Sequence, residues 1–181
     1  YTLYLTLESY QKNTTDFNEG YLLVTIHRFE TISNKKRLEN IINYIVSISS
    51  KFDETRFFMH QPTENALKRF NLYKLVEKTS NFKLYPLLPY QQFAIQLKNC
   101  GAILTDGGSI QEEAYYLNKP CIVLRKHTER KEGLGGNARL MTGNIVNDVK
   151  FLEEKHTYYQ SKWNNNFYAT RKIINTLLKT M

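Results

Sequence analysis

The segment Gly101–Arg130 constrains the fold of this 181-residue chain more than any other. An apolar run, Gly101–Leu104, ends in a glycine turn at Gly107-Gly108, a helix pattern starts at Ser109, and a second apolar run follows at Cys121–Leu124. Strand, turn, helix and strand in this order predict a βαβ unit with parallel strands. Phosphates bind at the carboxyl edge of such a unit, against the helix N-terminus. Two adjacent glycines are also typical of an ordinary βα turn, so the neighbouring side chains must decide between the two interpretations.

The helix that starts at Ser109 carries one carboxylate of particular interest. A step of about 100° per residue places three apolar side chains on one buried stripe, namely Ile110, Ala114 and Leu117. Glu113 lies at the edge of this stripe, whereas Glu112 points to the opposite side. Ser109 and Glu112 have the spacing of a capping box, which predicts a structural role for Glu112. For Glu113, we weigh equally a contact to a sugar hydroxyl and a surface ion pair.

Strand and helix patterns alternate along the rest of the chain. The predicted strands are Tyr21–Ile26, Arg56–Met59, Phe82–Tyr85 and, as a last edge strand, Arg139–Met141. The predicted helices are Lys35–Phe52, Thr63–Phe70, Tyr90–Leu97, Asn144–Glu154 and Ala169–Lys179. This alternation predicts an α/β fold with a doubly wound, mostly parallel sheet and helices on both faces. We expect one domain over residues 1–181, with residues 1–20 as a leading or interdomain segment.

Several candidate binding residues follow directly after predicted strands. His27, His60, Asp106 and Arg125 should meet at one edge, because parallel strands end on the same side of a sheet. A histidine there can donate to a phosphate or move a proton, and Arg28 beside His27 adds a fork-shaped phosphate donor. For His60 the structural interpretation is favoured, because Thr63 has the position of a helix N-cap.

For two further candidate binding residues, a role outside ligand binding is an equally simple interpretation. Arg130 is either a surface residue or a clamp for phosphate or carboxylate. Phe93 is predicted to be a core residue unless a planar base needs a stacking partner. The sequence has no Ser-His-Asp order, no His-Glu-x-x-His motif and no convincing carboxylate pair for acid–base chemistry. These residues are typical of the ligand-binding half of an enzyme, without a complete set of catalytic groups.

Composition and charge narrow the classes of function that remain. The formal charge of +8 suits an anionic ligand, but the basic residues are scattered, so a solvated surface explains them and nucleic acid is disfavoured. No apolar stretch is long enough to span a bilayer, and no signal-peptide pattern appears, so we expect no membrane role. Cys100 and Cys121 lack metal-type spacing and are predicted to be reduced core residues of a cytoplasmic protein.

Five segments together resemble one enzyme family. They are VTIHRFE (Val24–Glu30), MHQPTENALKRFNL (Met59–Leu72), LLPYQQF (Leu87–Phe93), LTDGGSIQEEA (Leu104–Ala114) and NKPCIVLRKHTERKEGLGGN (Asn118–Asn137). In order and spacing they resemble the carboxyl-terminal half of the UDP-N-acetylglucosamine 2-epimerase family, two-domain enzymes built like GT-B glycosyltransferases. The resemblance runs from about Tyr21 to the C-terminal helix.

The resemblance implies a UDP-sugar site between two Rossmann-like domains, of which this chain supplies the nucleotide-binding one. The implied roles are diphosphate binding by Gly107, Gly108 and Ser109, ribose binding by Glu113 and a place near the uracil for Phe93. Arg130 and His27 would reach the phosphate side, and His27 would be catalytic. The resemblance also implies that UDP is eliminated and added back without a metal or a nicotinamide cofactor. The proton-transferring carboxylates would belong mainly to the amino-terminal domain, and the pathway would be cell-envelope polysaccharide synthesis.

Three departures from the family pattern accompany this resemblance. Gly107 stands where the family usually has serine, so a hydroxyl contact to phosphate is missing there. Phe29 replaces a common arginine, and Gln61-Pro62 weakens the assignment of His60 to a regulatory nucleotide-sugar site. The alternatives are the donor half of a GT-B glycosyltransferase and a non-catalytic nucleotide-binding module. The expected partners are a UDP-sugar and the amino-terminal domain, and homodimerisation is left open.

Overall fold

The computed structural model describes residue 3 and residues 20–154. The predicted helix Ala169–Lys179 and the predicted leading segment 1–20 lie outside these residues, apart from residues 3 and 20. The elements of the described part, in chain order, are β1 (Leu22–Ile26), α1 (Phe29–Ile32), α2 (Lys35–Ser49), β2 (Thr55–Met59), α3 (Gln61–Arg69), α4 (Tyr73–Glu77), β3 (Phe82–Pro86), α5 (Tyr90–Asn99), β4 (Ala102–Thr105), α6 (Gly108–Tyr116), β5 (Cys121–Val123), β6 (Ala138–Leu140) and α7 (Ile145–Glu153).

Six strands within residues 20–154 form one parallel sheet in the order β3-β2-β1-β4-β5-β6. In the register of the sheet, Val24 of β1 lies between Phe57 of β2 and Leu104 of β4. The chain builds outward in one direction as far as β3 and then restarts on the other side of β1 at β4. The α/β fold with a doubly wound, parallel sheet is therefore confirmed, and β6 is the expected edge strand.

Both faces of the sheet are covered by helices, which explains the continuous apolar strands. Leu22, Val24 and Ile26 face the cluster that includes the apolar stripe of α2. Leu23 faces the second cluster, which includes residues of α5 and α6. Cys100 and Cys121 belong to that second cluster, and both are buried without a disulfide. Among the described residues, no helix has both the length and the apolar character to cross a membrane.

Helix starts are where sequence patterns and structure differ. Asn34 and Asn144 cap α2 and α7 by accepting from Arg37 N and Asn147 N. The predicted N-cap at Thr63 is wrong, because α3 starts earlier with His60 at the cap position. The Thr63 hydroxyl instead donates to the carbonyl of Ile26 and joins α3 to the end of β1.

Candidate functional site

The candidate site lies at the carboxyl edge of the sheet, between the ends of β1 and β4. The strand order reverses there, and open α/β sheets form their ligand crevices at such a point. His27 follows β1, Asp106 follows β4, and Arg125 lies just beyond β5. The ring centroids of His27 and His60 are 5.1 Å apart, so the end of β2 reaches the same place. The structure therefore brings His27, His60 and Asp106 together at this edge, and Arg125 lies at the end of the strand next to β4.

Asp106 is the structural anchor of this edge. Its side chain is fully buried, and its two carboxylate oxygens accept from the backbone N–H groups of His27 and Arg28, each at 3.0 Å. Beside it, the hydroxyls of Thr25 and Thr105 lie 2.8 Å apart, and Thr105 Oγ1 accepts from Gly107 N at 3.0 Å. One buried carboxylate thus joins the loop after β1 to the strand end that leads into α6.

Gly107 and His27 are in direct contact. A Cβ added at Gly107 would lie 2.6 Å from Cε1 of His27, closer than real side chains approach. Nδ1 of His27 lies 3.5 Å from Oδ1 of Asp106 and is buried, with no hydrogen-bond partner among the described residues. The pKa of His60 is lowered by burial and, to a smaller extent, by the neighbouring His27. Glycine at position 107 therefore leaves the room that His27 occupies.

The N-terminus of α6 contributes backbone donors. Gly108 is the first residue of the helix, and Gln111 N is bonded back to Gly107 O, so the N–H groups of Gly108, Ser109 and Ile110 have no acceptor within the helix. Gly107 N is engaged by Thr105. Of the predicted diphosphate loop, Gly108 and Ser109 thus present their N–H groups, whereas Gly107 has an internal partner.

Three arginines surround this helix end, and each contacts a glutamate. Arg28 Nη2 lies 2.8 Å from Glu129 Oε1, and Arg125 Nη1 lies 2.9 Å from Glu129 Oε2. Arg130 Nη1 lies 2.9 Å from Glu112 Oε2. A hydrogen bond from its own backbone and the contacts with Arg28 and Arg125 lower the pKa of Glu129 to about 2. We call these groups, with Gly107–Ser109, the charged side of the crevice.

The predicted capping box is wrong. Gly107 is the N-cap of α6, without a side-chain bond, and Ser109 lies inside the first turn, where it is exposed. Glu112 is too far along the helix to reach back to the cap, and it contacts Arg130 and the Tyr116 hydroxyl instead. The backbone turn of Gly107-Gly108 starts the helix two residues earlier than the serine pattern indicates.

Glu113 lies at the boundary of the apolar stripe, as the periodicity predicts, and has a specific partner. The Tyr90 hydroxyl donates to Oε1 of Glu113 at 2.8 Å. Burial raises the pKa of the Glu113 carboxyl, while the Tyr90 hydrogen bond opposes the shift. Among residues 20–154 Glu113 forms no ion pair, and its second oxygen is not committed to Tyr90.

A cavity of about 210 Å³ is lined by Tyr90, the hydrogen-bond partner of Glu113. Its lining includes His60, Leu87, Leu88, Tyr90, Phe93 and Ile110. Phe93 is half-buried and packs edge-on against Phe58, with ring centroids 5.4 Å apart, so it is a core residue that also borders the cavity. We call this lining, with Glu113, the apolar side of the crevice.

Gln111 is a site-forming residue that sequence reasoning missed. It is fully buried, its Nε2 donates to the carbonyls of Arg130 and Glu132, and its Oε1 accepts from Thr128. These bonds fasten the loop that carries Glu129 and Arg130 onto α6. The available signal was its helical position, about 60° from Ala114 on the buried stripe. Within the described residues, no three His, Cys, Asp or Glu side chains are grouped so that they could hold a metal ion.

Comparison with known proteins places this chain in one family. A family model described as UDP-N-acetylglucosamine 2-epimerase matches residues 3–178. The UDP-N-acetylglucosamine 2-epimerase of Methanocaldococcus jannaschii is 35% identical over 158 residues, which are 84% of this chain and 43% of that protein. The enzyme of the same name from Methanococcus maripaludis is 35% identical over 151 residues, 83% of this chain and 41% of that protein.

A solved structure agrees with these matches. The crystal structure of the M. jannaschii enzyme in complex with UDP-GlcNAc and UDP aligns with a TM-score of 0.82 and 31% identity, covering 98% of this chain and 52% of that one. The chain thus spans about half the length of the relatives it matches. Because the family model covers nearly all of its length, this chain belongs to the UDP-N-acetylglucosamine 2-epimerase family.

Proposed function

We propose that this chain is the UDP-binding half of an isomerase that interconverts UDP-GlcNAc and UDP-ManNAc. The observation that carries the proposal is the order of chemistry along one crevice. Cationic groups surround the N-terminus of α6, a carboxylate follows one turn later at Glu113, and an apolar cavity lies beyond it. The diphosphate, ribose and base of a nucleotide follow one another in the same order.

The diphosphate belongs on the charged side. The N–H groups of Gly108 and Ser109 and the guanidinium groups of Arg28 and Arg130 are the donors that would bind it. When the bond between the sugar and UDP breaks, negative charge grows on the departing phosphate. Donors already oriented toward that position stabilise the charge without a cost of reorganisation.

The ribose and the base belong on the apolar side. A carboxylate only accepts hydrogen bonds at neutral pH, which suits the two hydroxyls of a ribose. Tyr90 orients Glu113 through one oxygen, and the other can face the sugar. Phe93 at the cavity border offers an aromatic ring to a planar base.

His27 is the catalytic residue of this half in our proposal. Its position after β1, against Gly107 and 5.1 Å from the ring of His60, supports a role beside the phosphates, where it would donate a hydrogen bond or proton to the departing UDP. The carboxylates that move protons on the sugar would come from the amino-terminal domain, which is the expected partner. We therefore expect the isolated chain to bind UDP and to leave UDP-GlcNAc unconverted.

The experiment compares UDP with UMP by calorimetry at fixed salt. One charge-assisted contact is worth about 1.5–3 kcal/mol, so UDP should bind at least about tenfold more tightly. Arg130→Ala should reduce this difference, while Arg37→Ala, on α2, serves as the control and should leave it unchanged. Equal affinities for UMP and UDP would contradict the phosphate role. Conversion of UDP-GlcNAc by a clean preparation would contradict the division of labour between two domains.

A cytoplasmic location, a role in cell-envelope polysaccharide synthesis and homodimerisation complete this proposal as predictions from the sequence. Sedimentation of the chain with and without UDP would test the last of them.

A further inference from the structure

The carboxyl end of β5 carries a buried cation, Arg125, that is not among the proposed diphosphate contacts. The side chain of Arg125 is only 9% exposed. Its Nη1 lies 2.9 Å from Oε2 of Glu129, and this buried atom has no other partner among the described residues. Burying a guanidinium is costly unless it is paired. Arg125 therefore depends on the negative charge of one nearby carboxylate.

Glu129 lies where an anion would bind. Its Oε1 accepts from Arg28 Nη2 at 2.8 Å and would lie 3.3 Å from a Cβ added at Gly108, the first residue of α6. One carboxylate thus contacts two arginines and the positive end of a helix, each of which attracts anions. The Glu129 side chain is itself 57% exposed, so it can turn away without leaving a gap in the core.

We propose that Arg125 is a further phosphate-binding residue of this site, and that Glu129 is its internal counter-charge, which the diphosphate of the ligand displaces. This inference rests on the proposed UDP site. The terminal phosphate of UDP has three unesterified oxygens, so it can accept from Arg28, Arg125 and the N–H groups of α6 together, whereas a carboxylate has two. In this exchange the buried Arg125 is never left without an anion.

The first test removes the charge of Glu129 and keeps its shape. Binding of UDP and of inorganic pyrophosphate to the chain is measured by calorimetry at fixed salt. Glu129→Gln should tighten both by about three- to tenfold, because no internal anion competes. Glu30→Gln on α1 is the matched control, since it changes the net charge equally at an exposed position, and it should change affinity by less than about twofold.

Two results of this test would overturn the proposal. Equal gains in Glu129→Gln and Glu30→Gln would mean that only the net charge matters. Weaker binding in Glu129→Gln would mean that Glu129 orients the arginines for the ligand and does not compete with it.

The second test concerns Arg125 directly. Arg125→Gln alone would leave Glu129 with Arg28 as its remaining arginine partner. The double variant Arg125→Gln/Glu129→Gln is therefore compared with Glu129→Gln, so that the two proteins differ only at position 125, and its thermal unfolding confirms that it folds. It should bind UDP at least about tenfold more weakly than Glu129→Gln. Equal affinity in these two variants would remove Arg125 from the site.

The two ligands separate this inference from the proposed function. If UDP binds the unchanged chain and Glu129→Gln binds it no more tightly, the displacement fails and the UDP site stands. If UDP does not bind but pyrophosphate binds more tightly to Glu129→Gln than to the unchanged chain, the displacement stands and the UDP assignment fails. If neither ligand binds either protein, both proposals are overturned.

Discussion

The charged side and the apolar side of the crevice differ in what a ligand must displace. On the charged side, Arg28, Arg125 and Arg130 already contact Glu129 or Glu112, so an incoming phosphate exchanges one ion pair for another. On the apolar side, a cavity of about 210 Å³ offers surface to a flat ring, and no residue of the described part of the chain fills it. We therefore expect each contact on the charged side to add less to the binding free energy than the number of charges indicates. A contact on the apolar side does not have to break one of these ion pairs, so more of its energy should appear as affinity.

The largest expected effect is on stability, at the anchor of the charged side. Asp106→Ala removes the acceptor for two backbone N–H groups in a fully buried position, so the free energy of unfolding should fall by about 2–5 kcal/mol. Urea unfolding measures the loss. The exposed Asp53→Ala is the control and should change stability by less than about 0.5 kcal/mol. If the two variants behave alike, Asp106 does not hold the two loops together.

The apolar side is tested next, through the ribose. Glu113→Ala should weaken UDP binding by about 1–3 kcal/mol, because the sugar hydroxyls lose their acceptor. The same variant should bind a 2′,3′-dideoxy analogue almost as well as the unchanged chain does. Glu112→Ala, on the same helix but in contact with Arg130, should leave the ratio of the two affinities unchanged. Equal losses for both ligands in Glu113→Ala would make Glu113 a structural residue.

Gly107 tests how the charged side keeps room for His27. A methyl group at this position would lie 2.6 Å from the His27 ring, so Gly107→Ala should turn the ring away and weaken UDP binding by about 1 kcal/mol. The NMR signals of His27 should shift in this variant. Gly101→Ala, where the nearest atom is 3.4 Å away, is the control and should leave those signals in place. Unmoved His27 signals in Gly107→Ala would contradict the contact.

The smallest effect is a pH dependence on the apolar side. Burial raises the pKa of Glu113 in the folded chain, so the folded state favours the protonated form more than the unfolded state does. The stability contribution of Glu113 is therefore complete below the ordinary pKa of 4.5 and is lost as pH rises through the raised value. Stability relative to Glu113→Gln should fall over that window. Glu112→Gln is the matched control, and a difference that stays constant with pH would contradict the effect of burial.

The sequence predicted most of the strands and helices because the patterns that specify them are local. Alternating apolar runs and helical stripes identified the strands of the sheet, and the turn at Gly107-Gly108 located the crevice. The first residues of the helices were harder to predict from the sequence, because backbone geometry decides which residue is the N-cap. Ser109 and Thr63 are both of a residue type that is common at N-caps, yet each lies inside its helix.

The contacts between side chains were the hardest feature of the site to predict from the sequence. Gln111 fastens the loop of Glu129 onto α6, although no sequence motif pointed to this residue. Tyr90 reaches Glu113 over 23 residues, and Arg28 reaches Glu129 over 101 residues. No local periodicity encodes contacts between residues so far apart.

By itself, the sequence determined the parallel α/β frame, the position of the glycine turn and the set of groups that gather at one edge of the sheet. Those features follow from period, propensity and the rule that parallel strands end together. Only the tertiary structure decided which of these charges face each other, that Gly107 leaves room for His27 and that Glu129 lies between two arginines. The physical reason is that pairing of buried charges depends on distances of a few ångströms between loops, which the packing of the helices on the sheet sets.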